Sequence, residues 1–289
     1  MRAAQARGHG VWLCEVKDLQ WRGKTAVTAT RVSLTDNDED WYRPHEAETR
    51  PLPSFDAVLM RKDPPFDLEY VVATWVLSAA VRDGAKVFNA PDAIRDHNEK
   101  LAIAEFERFS APTLVTREPE RIQGFIDEQR DVVVKRLDVM GGENVFRVRV
   151  DDPNRNVIVE TMAQGGRRTV MAQRFIPEII EGDKRVLLID GKVVPHCLAR
   201  IPKAGESRGN LAAGARGVAQ PLSARHREIA AAVGPVLAKR GLLVVGLDII
   251  GDYLTEVNVT SPTCFREITD QTGFDVPAMF MDALEGRLA

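Results

Sequence analysis

The sequence has few cysteines, few aromatic residues, no excess of basic residues and no long apolar run, and these shortages exclude several classes of protein. The three cysteines, Cys14, Cys197 and Cys264, cannot all pair and lack the spacing of a zinc site, which favours a reducing compartment. The formal net charge of −3 argues against general nucleic-acid binding, which needs a basic excess. No apolar run reaches the length of a membrane span, and the first residues lack a signal-peptide core. We therefore expect a soluble, cytoplasmic protein with one large domain or two to three small ones.

The stretch 241–267 organises the rest of the chain. Two apolar runs, Leu242–Ile250 and Leu254–Val259, flank Gly251-Asp252, a pair that is typical of a two-residue hairpin turn. An acidic residue, Asp248, interrupts the first run, and a carboxylate buried there needs a partner. The sequence therefore predicts a buried hairpin that carries polar groups.

Three oxygen-donor side chains are predicted to converge on this hairpin. Glu256 and Asn258 are two residues apart and share one face of the second strand, with Leu254 as the apolar neighbour beneath them. Asp248 lies on the first strand. Mg²⁺ prefers one or two carboxylates, with phosphate oxygens completing its octahedron. An ordinary hairpin with a wet polar face would show the same periodicity, but the acid within an apolar run favours the metal site.

The same stretch resembles the closing segment of bacterial glutathione synthetases, which are members of the ATP-grasp superfamily. The residues that match are Asp248-Ile249-Ile250-Gly251-Asp252, Leu254, Glu256-Val257-Asn258-Val259-Thr260-Ser261-Pro262-Thr263-Cys264 and Arg266-Glu267. The resemblance covers nearly all the chain and implies an α/β fold, with an ATP-grasp unit after a small Rossmann-like α/β domain. It implies an N-terminal domain over 1–97, an ATP-grasp lid subdomain over 98–175 and a catalytic subdomain over 176–289.

The N-terminal domain is expected to lack its first strand. Met1–Gly8 contains helix-forming residues and leads directly into a predicted strand, Val11–Val16. The resembled family begins with a strand and a loop before this helix, so that roughly 25 residues of a βα unit are absent here. We expect a start codon assigned too far downstream rather than a genuine truncation.

Other secondary-structure elements are predicted from apolar runs and turn residues. Arg22–Trp41 is polar and turn-rich, which is typical of short strands and a loop. Strands are predicted at Phe55–Met60, Lys86–Asn89, Thr113–Thr116, Asp131–Lys135, Phe146–Val150, Asn156–Thr161, Arg185–Ile189 and Lys192–Ala199. Helices are predicted at Glu69–Asp83, Ser223–Arg240 and Phe274–Leu288.

Basic residues at strand ends form candidate anion sites. Arg61 and Lys62 follow a buried strand at the end where open α/β sheets place ligands, and the resemblance favours their facing an anionic substrate over a solvated turn. Lys135 ends another strand and offers a point charge to a nucleotide phosphate. Gly141-Gly142 could bring backbone N–H groups close to phosphates, although a plain hairpin turn is an equal alternative.

The resemblance extends this ATP site. It places a phosphate-contacting lysine at Lys100 and an adenine-contacting segment at Gln173–Ile176. The resulting ATP-binding set is Lys100, Lys135, Gly141, Gly142, Gln173, Phe175, Ile176 and Asp183. Two residues depart from the family pattern: Arg136 replaces a proline and Val139 replaces a glycine. If that glycine requires a positive φ, a β-branched residue is poorly tolerated there, which would impair closure of the loop over ATP.

A polar, glycine-rich segment, Arg200–Gly217, is predicted to be a lid. Loops of this length in compact domains are usually lids or disordered, and the resemblance favours a lid in which Arg208 and Asn210 contact the substrate. Arg185 and Arg200 stand on neighbouring predicted strands and could bind a carboxylate or stabilise phosphoryl charge together. Arg266, after the turn at 261–264, is expected to contact a substrate carboxylate.

This combination of cations, a carboxylate metal site and a lid suits phosphoryl transfer, in which positioning and charge neutralisation carry the catalysis. With the resemblance, the predicted activity is that of a glutathione synthetase. ATP would activate γ-L-glutamyl-L-cysteine as an acyl phosphate, glycine would attack it, and Mg²⁺ (or Mn²⁺) would be held by Asp248, Glu256 and Asn258.

Small-molecule substrates are the expected partners, with no nucleic acid and no membrane, and the resemblance implies a homotetramer. Two alternatives stay open at this point. One is another ATP-grasp carboxylate–amine ligase, and the other is a catalytically impaired ATP-binding protein of the same fold.

Overall fold

The computed structural model describes residues 1–205, 209–211 and 214–289. These residues form a mixed α/β fold, as the sequence predicted, with separate sheets that follow one another along the chain. Across these ranges, no helix combines the length and the apolar character that a membrane crossing requires.

A long hairpin dominates the N-terminal sheet. The elements are α1 (Arg2–Ala6), β1 (Val11–Leu13), β2 (Leu19–Arg22), β3 (Lys24–Leu34) and β4 (Tyr42–Pro51). The strands β1, β2 and β4 all pair with β3. Over 22–41 the structure has the predicted loop, but one long strand, β3, instead of short strands, and β4 after it was not predicted. Val27, Ala29 and Val32 are buried in β3, whereas β4 is exposed over nearly its whole length. An antiparallel hairpin with one solvated strand lacks the apolar run that marks a buried strand.

A short parallel pair follows this hairpin. The elements are β5 (Val58–Leu59), α2 (Leu68–Arg82), β6 (Val87–Phe88) and α3 (Pro91–Asp96). β5 and β6 pair in parallel, so the predicted strands in 55–60 and 86–89 are present but shorter. Asp67 begins α2, because its carboxylate accepts a hydrogen bond from the N–H of Tyr70 at 2.9 Å. This connection leaves the turn 61–67 exposed at the carboxyl end of β5.

The next part of the chain forms a sheet that packs against two helices. The elements are a 3-10 helix (Leu101–Phe109), β7 (Thr113–Thr116), α4 (Pro119–Gln129), β8 (Asp131–Arg136), β9 (Val145–Arg149), α5 (Arg155–Ala163) and β10 (Val170–Arg174). The strand order in this sheet is β7-β10-β8-β9. The prediction of a strand at 156–161 was wrong, because these residues belong to α5. The β-branched run there resembles a strand, but the buried residues are Val159, Met162 and Ala163, which have helical spacing.

Residues 183–258 contain an antiparallel sheet. Its strands are β11 (Asp183–Ile189), β12 (Lys192–Ile201), β13 (Arg216–Pro221), β14 (Val244–Ile250) and β15 (Tyr253–Asn258). They are arranged in the order β13-β12-β11-β14-β15. Both predicted hairpins are present, with turns at Asp190-Gly191 and at Gly251-Asp252. Asp190 and Gly191 have φ values of +49° and +74°, the two positive values that a type I′ turn requires.

Helices cover both faces of this sheet. They are α6 (Ala224–Lys239), α7 (Phe265–Thr272) and α8 (Val276–Leu288). α6 packs on one face through Ile229, Val233 and Leu237, which have helical spacing, whereas Val236 is exposed. α7 and α8 pack on the other face, where they bury Ile268 and Val276. α7 was not predicted, because Ile268 is its single buried residue and gives no periodic signal.

Candidate active site

A cavity of about 320 Å³ opens between the sheet of residues 113–174 and the sheet of residues 183–258. Most of the side chains singled out in the sequence line this cavity. They are Lys100, Lys135, Gly141, Gly142, Gln173, Phe175, Ile176, Asp183, Arg185, Arg200, Asn210, Asp248, Glu256 and Asn258. The fold therefore collects in one place the groups that the sequence distributes over more than half of the chain.

A buried cluster of two guanidiniums and two carboxylates lines the cavity. Arg185 donates from Nε to Oδ1 of Asp248 at 2.6 Å and from Nη2 to Oδ2 at 3.1 Å. Arg200 Nη2 lies 2.8 Å from the same Oδ2 and also pairs with Asp183. The side chains of Arg185, Arg200 and Asp248 are 7%, 5% and 4% exposed. The two predicted neighbours, Arg185 and Arg200, thus meet at one carboxylate.

Gly246 makes room for this cluster. A Cβ atom at this position would come within 2.9 Å of both Cδ of Arg185 and Cβ of Pro262. Real Cβ atoms do not approach so closely, so any larger residue in β14 would displace the guanidinium or the turn that contains Pro262.

The cluster separates the pKa values of its two carboxyl groups. Burial alone would raise the pKa of Asp248, but Arg185 and Arg200 outweigh it and hold this pKa well below its usual range. Burial raises the pKa of Asp183, and the neighbouring Asp248 carboxylate raises it further, although the Arg200 guanidinium opposes this change. Asp248 is therefore firmly ionised, whereas Asp183 accepts a proton more readily.

Two buried lysines surround one carboxylate on the other side of the cavity. Lys135 Nζ lies 3.6 Å and Lys100 Nζ 3.9 Å from Oε1 of Glu256, and both lysines are 6% exposed. Burial lowers the pKa of Lys135, a change that Lys100 reinforces and Glu256 opposes. Two ammonium groups around one carboxylate leave a local positive excess that a phosphate group can neutralise.

The three predicted metal ligands all line the cavity, but they are not equally available. Register places Asp248 opposite Glu256, and Gly246 opposite Asn258. Asn258 donates from Nδ2 to the Gly246 carbonyl at 3.2 Å, so its Oδ1 is the atom that could bind a metal ion. Both oxygens of Asp248 already accept guanidinium N–H groups. Among the described residues, no group of three or more His, Cys, Asp or Glu side chains could hold a metal ion.

A β-bulge determines the direction in which the side chains of β15 point. The register shifts between Asp248 and Ile249, and Ile249 pairs with Leu254, so that Thr255 is the extra residue on β15. Leu254 is then buried in the main core, as predicted, although it stands two residues before Glu256. Without the bulge, simple alternation would place both side chains on the same face of the strand.

The loop that contains Gly141 and Gly142, here called the glycine loop, has a backbone conformation that favours glycine. Gly141 and Gly142 have φ values of +70° and +83°. Val139 is outside the left-handed region, so the β-branched side chain causes no strain there, and its carbonyl accepts a hydrogen bond from Lys100 Nζ at 2.6 Å. Arg136 donates to Asp138 from Nε at 2.9 Å and from Nη2 at 2.6 Å. The fold therefore accommodates both departures from the family pattern.

The residues assigned to adenine contact lie at the end of β10. Gln173 is 3% exposed and donates from Nε2 to Oγ1 of Thr113 at 2.9 Å. The guanidinium of Arg147 lies 3.5 Å from the centroid of the Phe175 ring, and Ile176 is 5% exposed. Phe175 and Ile176 give the cavity an apolar border, the kind of surface that a purine base contacts.

Three of the predicted substrate contacts do not line the cavity. Arg61 donates from Nη2 to the Pro262 carbonyl at 2.6 Å, and Lys62 is exposed beside it. Arg266 is 64% exposed and pairs with Asp38 and Asp270 on the surface. Arg208 lies outside the described residues.

Sequence reasoning missed Glu99, which also lines the cavity. Its Oε1 accepts hydrogen bonds from the N–H groups of Val259 and Thr260 at 2.8 and 2.9 Å and from the Thr260 hydroxyl at 2.8 Å. Burial raises the pKa of Glu99, and these hydrogen bonds oppose the rise. Its position between Asn98 and Lys100 was the available signal, but only the lysine was singled out.

Comparisons with known proteins give a consistent result over the whole chain. The family "Prokaryotic glutathione synthetase, N-terminal domain" matches residues 1–95, and "Prokaryotic glutathione synthetase, ATP-grasp domain" matches residues 99–273. The glutathione synthetase of Ralstonia nicotianae is 59% identical over 286 residues, which cover 99% of this chain and 88% of the relative. That of Bordetella parapertussis is 57% identical over 291 residues, which cover 99% and 92%.

Solved structures agree on the fold. The ATP-grasp ligase PsnB, solved with a minimal precursor, Mg and ADP, matches with a TM-score of 0.62. The match covers 99% of this chain and 92% of that chain at 20% sequence identity, so it shows a shared ATP-grasp fold.

Proposed function

This chain belongs to the prokaryotic glutathione synthetase family and is an ATP-dependent ligase, and we propose that its cavity joins γ-L-glutamyl-L-cysteine to glycine. One observation carries the assignment to this cavity: the buried lysines, the buried arginines and the Glu256–Asn258 pair all line the same space. Such an arrangement binds and polarises phosphate and carboxylate groups.

The residues present fit a nucleotide. Lys100 and Lys135 bring positive charge to the glycine loop, where Gly141 and Gly142 leave backbone N–H groups accessible. Within the described ranges, Oδ1 of Asp183 and Nε of Arg200 are buried without a hydrogen-bond partner. Buried polar atoms of this kind are costly unless a ligand satisfies them, and the polar groups of ATP would do so. Gln173, Phe175 and Ile176 would contact the adenine.

The residues also fit Mg²⁺ or Mn²⁺. Glu256 and Asn258 would be direct ligands, because their oxygen atoms lie on the cavity beside the lysines. Asp248 would act mainly through the two guanidiniums that it holds. When bound, the metal ion supplies positive charge that neutralises the phosphate oxygens.

The arginine pair accounts for the chemistry of ligation. The carboxylate oxygen of the cysteine residue in γ-glutamylcysteine attacks the γ-phosphorus of ATP, ADP leaves, and an acyl phosphate remains. The amine of glycine then attacks the acyl carbon, a C–N bond forms, phosphate leaves, and the ammonium proton goes to solvent. Arg185 and Arg200 stabilise the negative charge that develops on the transferred phosphoryl group and on the carbonyl oxygen. Asp248 holds both guanidiniums in place before substrate arrives.

Substrate contacts and domain roles complete the proposal. We assign substrate contacts to Arg61, Lys62, Arg208 and Asn210; Arg266 is left out, because its exposed side chain pairs with Asp38 and Asp270 outside the cavity. Residues 1–97 would form the N-terminal domain, 98–175 the lid subdomain and 176–289 the catalytic subdomain. In support, the sheets of residues 113–174 and 183–258 have separate strand pairings, and the cavity lies between them.

We also propose a homotetramer in the cytoplasm. α2 exposes Leu68, Val72 and Trp75 on one face, with exposed fractions of 66%, 37% and 51%, and a second copy of the chain can cover this face. The three cysteines are free, which suits a reducing compartment. Light scattering on the purified protein measures the subunit number, and a monomer at micromolar concentration would contradict the tetramer.

Release of ADP tests the activity. Purified protein receives Mg²⁺, ATP, γ-glutamylcysteine and glycine, and each component is omitted in turn. We expect turnover only with all four, and a thiol product with the mass of glutathione. The variant Glu256→Gln should lose about 10²–10³-fold in kcat, because a charged metal ligand is gone. Glu118→Gln, an exposed change in a surface ion pair, should leave kcat unchanged. Turnover with another amine in place of glycine would assign the site to a different ligase.

A further inference from the structure

Three consecutive residues connect the two sides of the cavity. Asn98 donates from Nδ2 to the Leu137 carbonyl at 2.8 Å, and Lys100 donates to the Val139 carbonyl, so both bind the start of the glycine loop. Glu99, between them, faces the other way and binds the end of β15. One short segment therefore holds the loop that would bind phosphates and the strand that carries Glu256 and Asn258.

Glu99 takes the place of a neighbouring strand. β15 is an edge strand that pairs with β14 alone, so its outward N–H groups need other acceptors. The backbone carbonyl of Glu99 accepts from Val257 N–H at 2.8 Å, and Oε1 accepts from Val259 N–H at the same distance. These two contacts lie on either side of Asn258. The backbone of Asn258 is thus held from both neighbours by a single residue of another segment.

Three donors reach one oxygen of Glu99, which is an unusual concentration for a side chain that is not itself among the predicted metal ligands. Hydrogen bonds to a charged acceptor are stronger than neutral ones, so the carboxylate holds this strand end firmly. Lys100 follows it directly in the chain and lies 3.9 Å from Glu256. A shift of Glu99 would therefore move the phosphate-binding lysine and the metal-binding strand relative to each other.

We propose that Glu99 is a positioning residue that sets Asn258 and Glu256 at the correct distance from the phosphate groups for metal binding. This inference rests on the proposed nucleotide and metal site and adds a residue that holds its ligands without touching the metal. Residues that orient metal ligands typically change affinity for the metal when they are replaced.

Binding of Mn²⁺ in the presence of ADP tests this role without turnover, with free Mn²⁺ measured by electron paramagnetic resonance. For Glu99→Gln we expect about a tenfold weaker affinity for Mn²⁺, because the neutral amide accepts the three hydrogen bonds less strongly. Affinity for ADP alone, measured by calorimetry without metal, should stay within about twofold. Thr260→Val removes only the hydroxyl donor and should weaken Mn²⁺ binding in the same direction by a smaller factor.

Asp83→Asn is the matched control. Asp83 Oδ2 accepts from the N–H and the hydroxyl of Thr25 at 2.9 and 2.8 Å, the same kind of contact, but in the N-terminal sheet away from the cavity. We expect Mn²⁺ binding by this variant to match the unaltered protein even if its melting temperature falls.

Equal Mn²⁺ affinity in Glu99→Gln and the unaltered protein would overturn the inference, and so would an equal loss in Asp83→Asn. A parallel loss of metal-free ADP binding would assign Glu99 a general structural role instead. If Glu99→Gln does not fold, Thr260→Val decides, because an unchanged affinity there contradicts the role of this contact. Failure of the ligase assay with the unaltered protein would refute the proposed reaction and leave this binding result intact.

Discussion

Replacement of Asp248 by asparagine is expected to destabilise the protein strongly at neutral pH. The carboxylate accepts N–H groups from two arginines that are themselves almost fully buried. Asparagine has nearly the same shape, but it has no charge and a single acceptor oxygen. Arg200 keeps Asp183 as a partner, whereas Arg185 has no other ion pair among the described residues. The substitution therefore leaves one buried guanidinium uncompensated.

The magnitude follows from the contacts that are lost. Hydrogen bonds to charged groups each contribute about 1.5–3 kcal/mol, and the amide can keep at most one of the three as a strong contact. Breaking a buried ion pair by removing one partner typically costs about 3–5 kcal/mol. We expect the free energy of unfolding to fall by about that amount, roughly a third or more of the stability of an ordinary domain.

The dependence on pH has a definite sign. The folded protein holds the pKa of Asp248 well below its ordinary value of 3.8, so the carboxylate contributes stability that is fully present above the unfolded pKa. Below that pH the unfolded chain takes up the proton first, and the contribution is lost as pH falls through the folded pKa. The difference between the unaltered protein and Asp248→Asn should therefore narrow below about pH 4.

Urea unfolding followed by far-ultraviolet circular dichroism measures this difference at each pH. Asp131→Asn is the control, because Asp131 also binds an arginine, Arg147, through two nitrogens but is 29% exposed with a partner that is 32% exposed. An exposed pair of this kind contributes about 0.2–1 kcal/mol. Equal small losses in the two variants, or a difference that widens below pH 4, would refute the reasoning.

Three further predictions concern single residues. Lys135→Met should weaken ATP binding by about a hundredfold in calorimetry, since it removes one of two buried phosphate-facing charges, and an unchanged affinity would exclude a phosphate contact. In thermal unfolding, Gly191→Ala should lower the free energy of unfolding by about 2–4 kcal/mol and Gly141→Ala by about 1–2 kcal/mol. Both glycines have a positive φ, but a Cβ at 191 would lie 2.9 Å from Cβ of Ala238, whereas a Cβ at 141 would meet nothing within 4 Å. Arg266→Ala should keep kcat/KM within about twofold, because the side chain is exposed outside the cavity; a tenfold higher KM for γ-glutamylcysteine would instead support the predicted substrate contact.

Local sequence signals predicted four of the five strands in the sheet of residues 183–258, but β13 was not predicted and begins inside the predicted lid segment, Arg200–Gly217. The turns at 190–191 and 251–252 join strands that are adjacent in the chain, so a few residues determine each pairing. The secondary-structure prediction failed where an element buries few side chains, or where its residue types are typical of a different element. β4 has almost no buried side chain, and α5 begins with a β-branched run that is typical of a strand. In both cases contact with another element, rather than the local conformational preference of the residues, determined the secondary structure.

The composition of the cavity could be predicted in the same uneven way. The polar residues Lys135, Glu256 and Asn258 were found because each interrupts or ends an apolar run. Glu99 was not, because an acid beside a lysine in a polar segment usually lies in solvent. The surface position of Arg266 and its contact with Asp38 also had no local signal.

Residue types and short spacings were enough to indicate the family, the cations and oxygen donors of the site, and the hairpins that carry them. The partners of these groups could be identified only from the folded chain. Arg185 and Asp248 are 63 residues apart, and Glu99 and Thr260 are 161 residues apart. Contacts over such distances depend on strand register, on one bulge and on the docking of separate sheets, none of which a local pattern specifies. For that reason the sequence could identify Asp248 as a buried acid in need of a partner, while the fold alone assigned it two arginines.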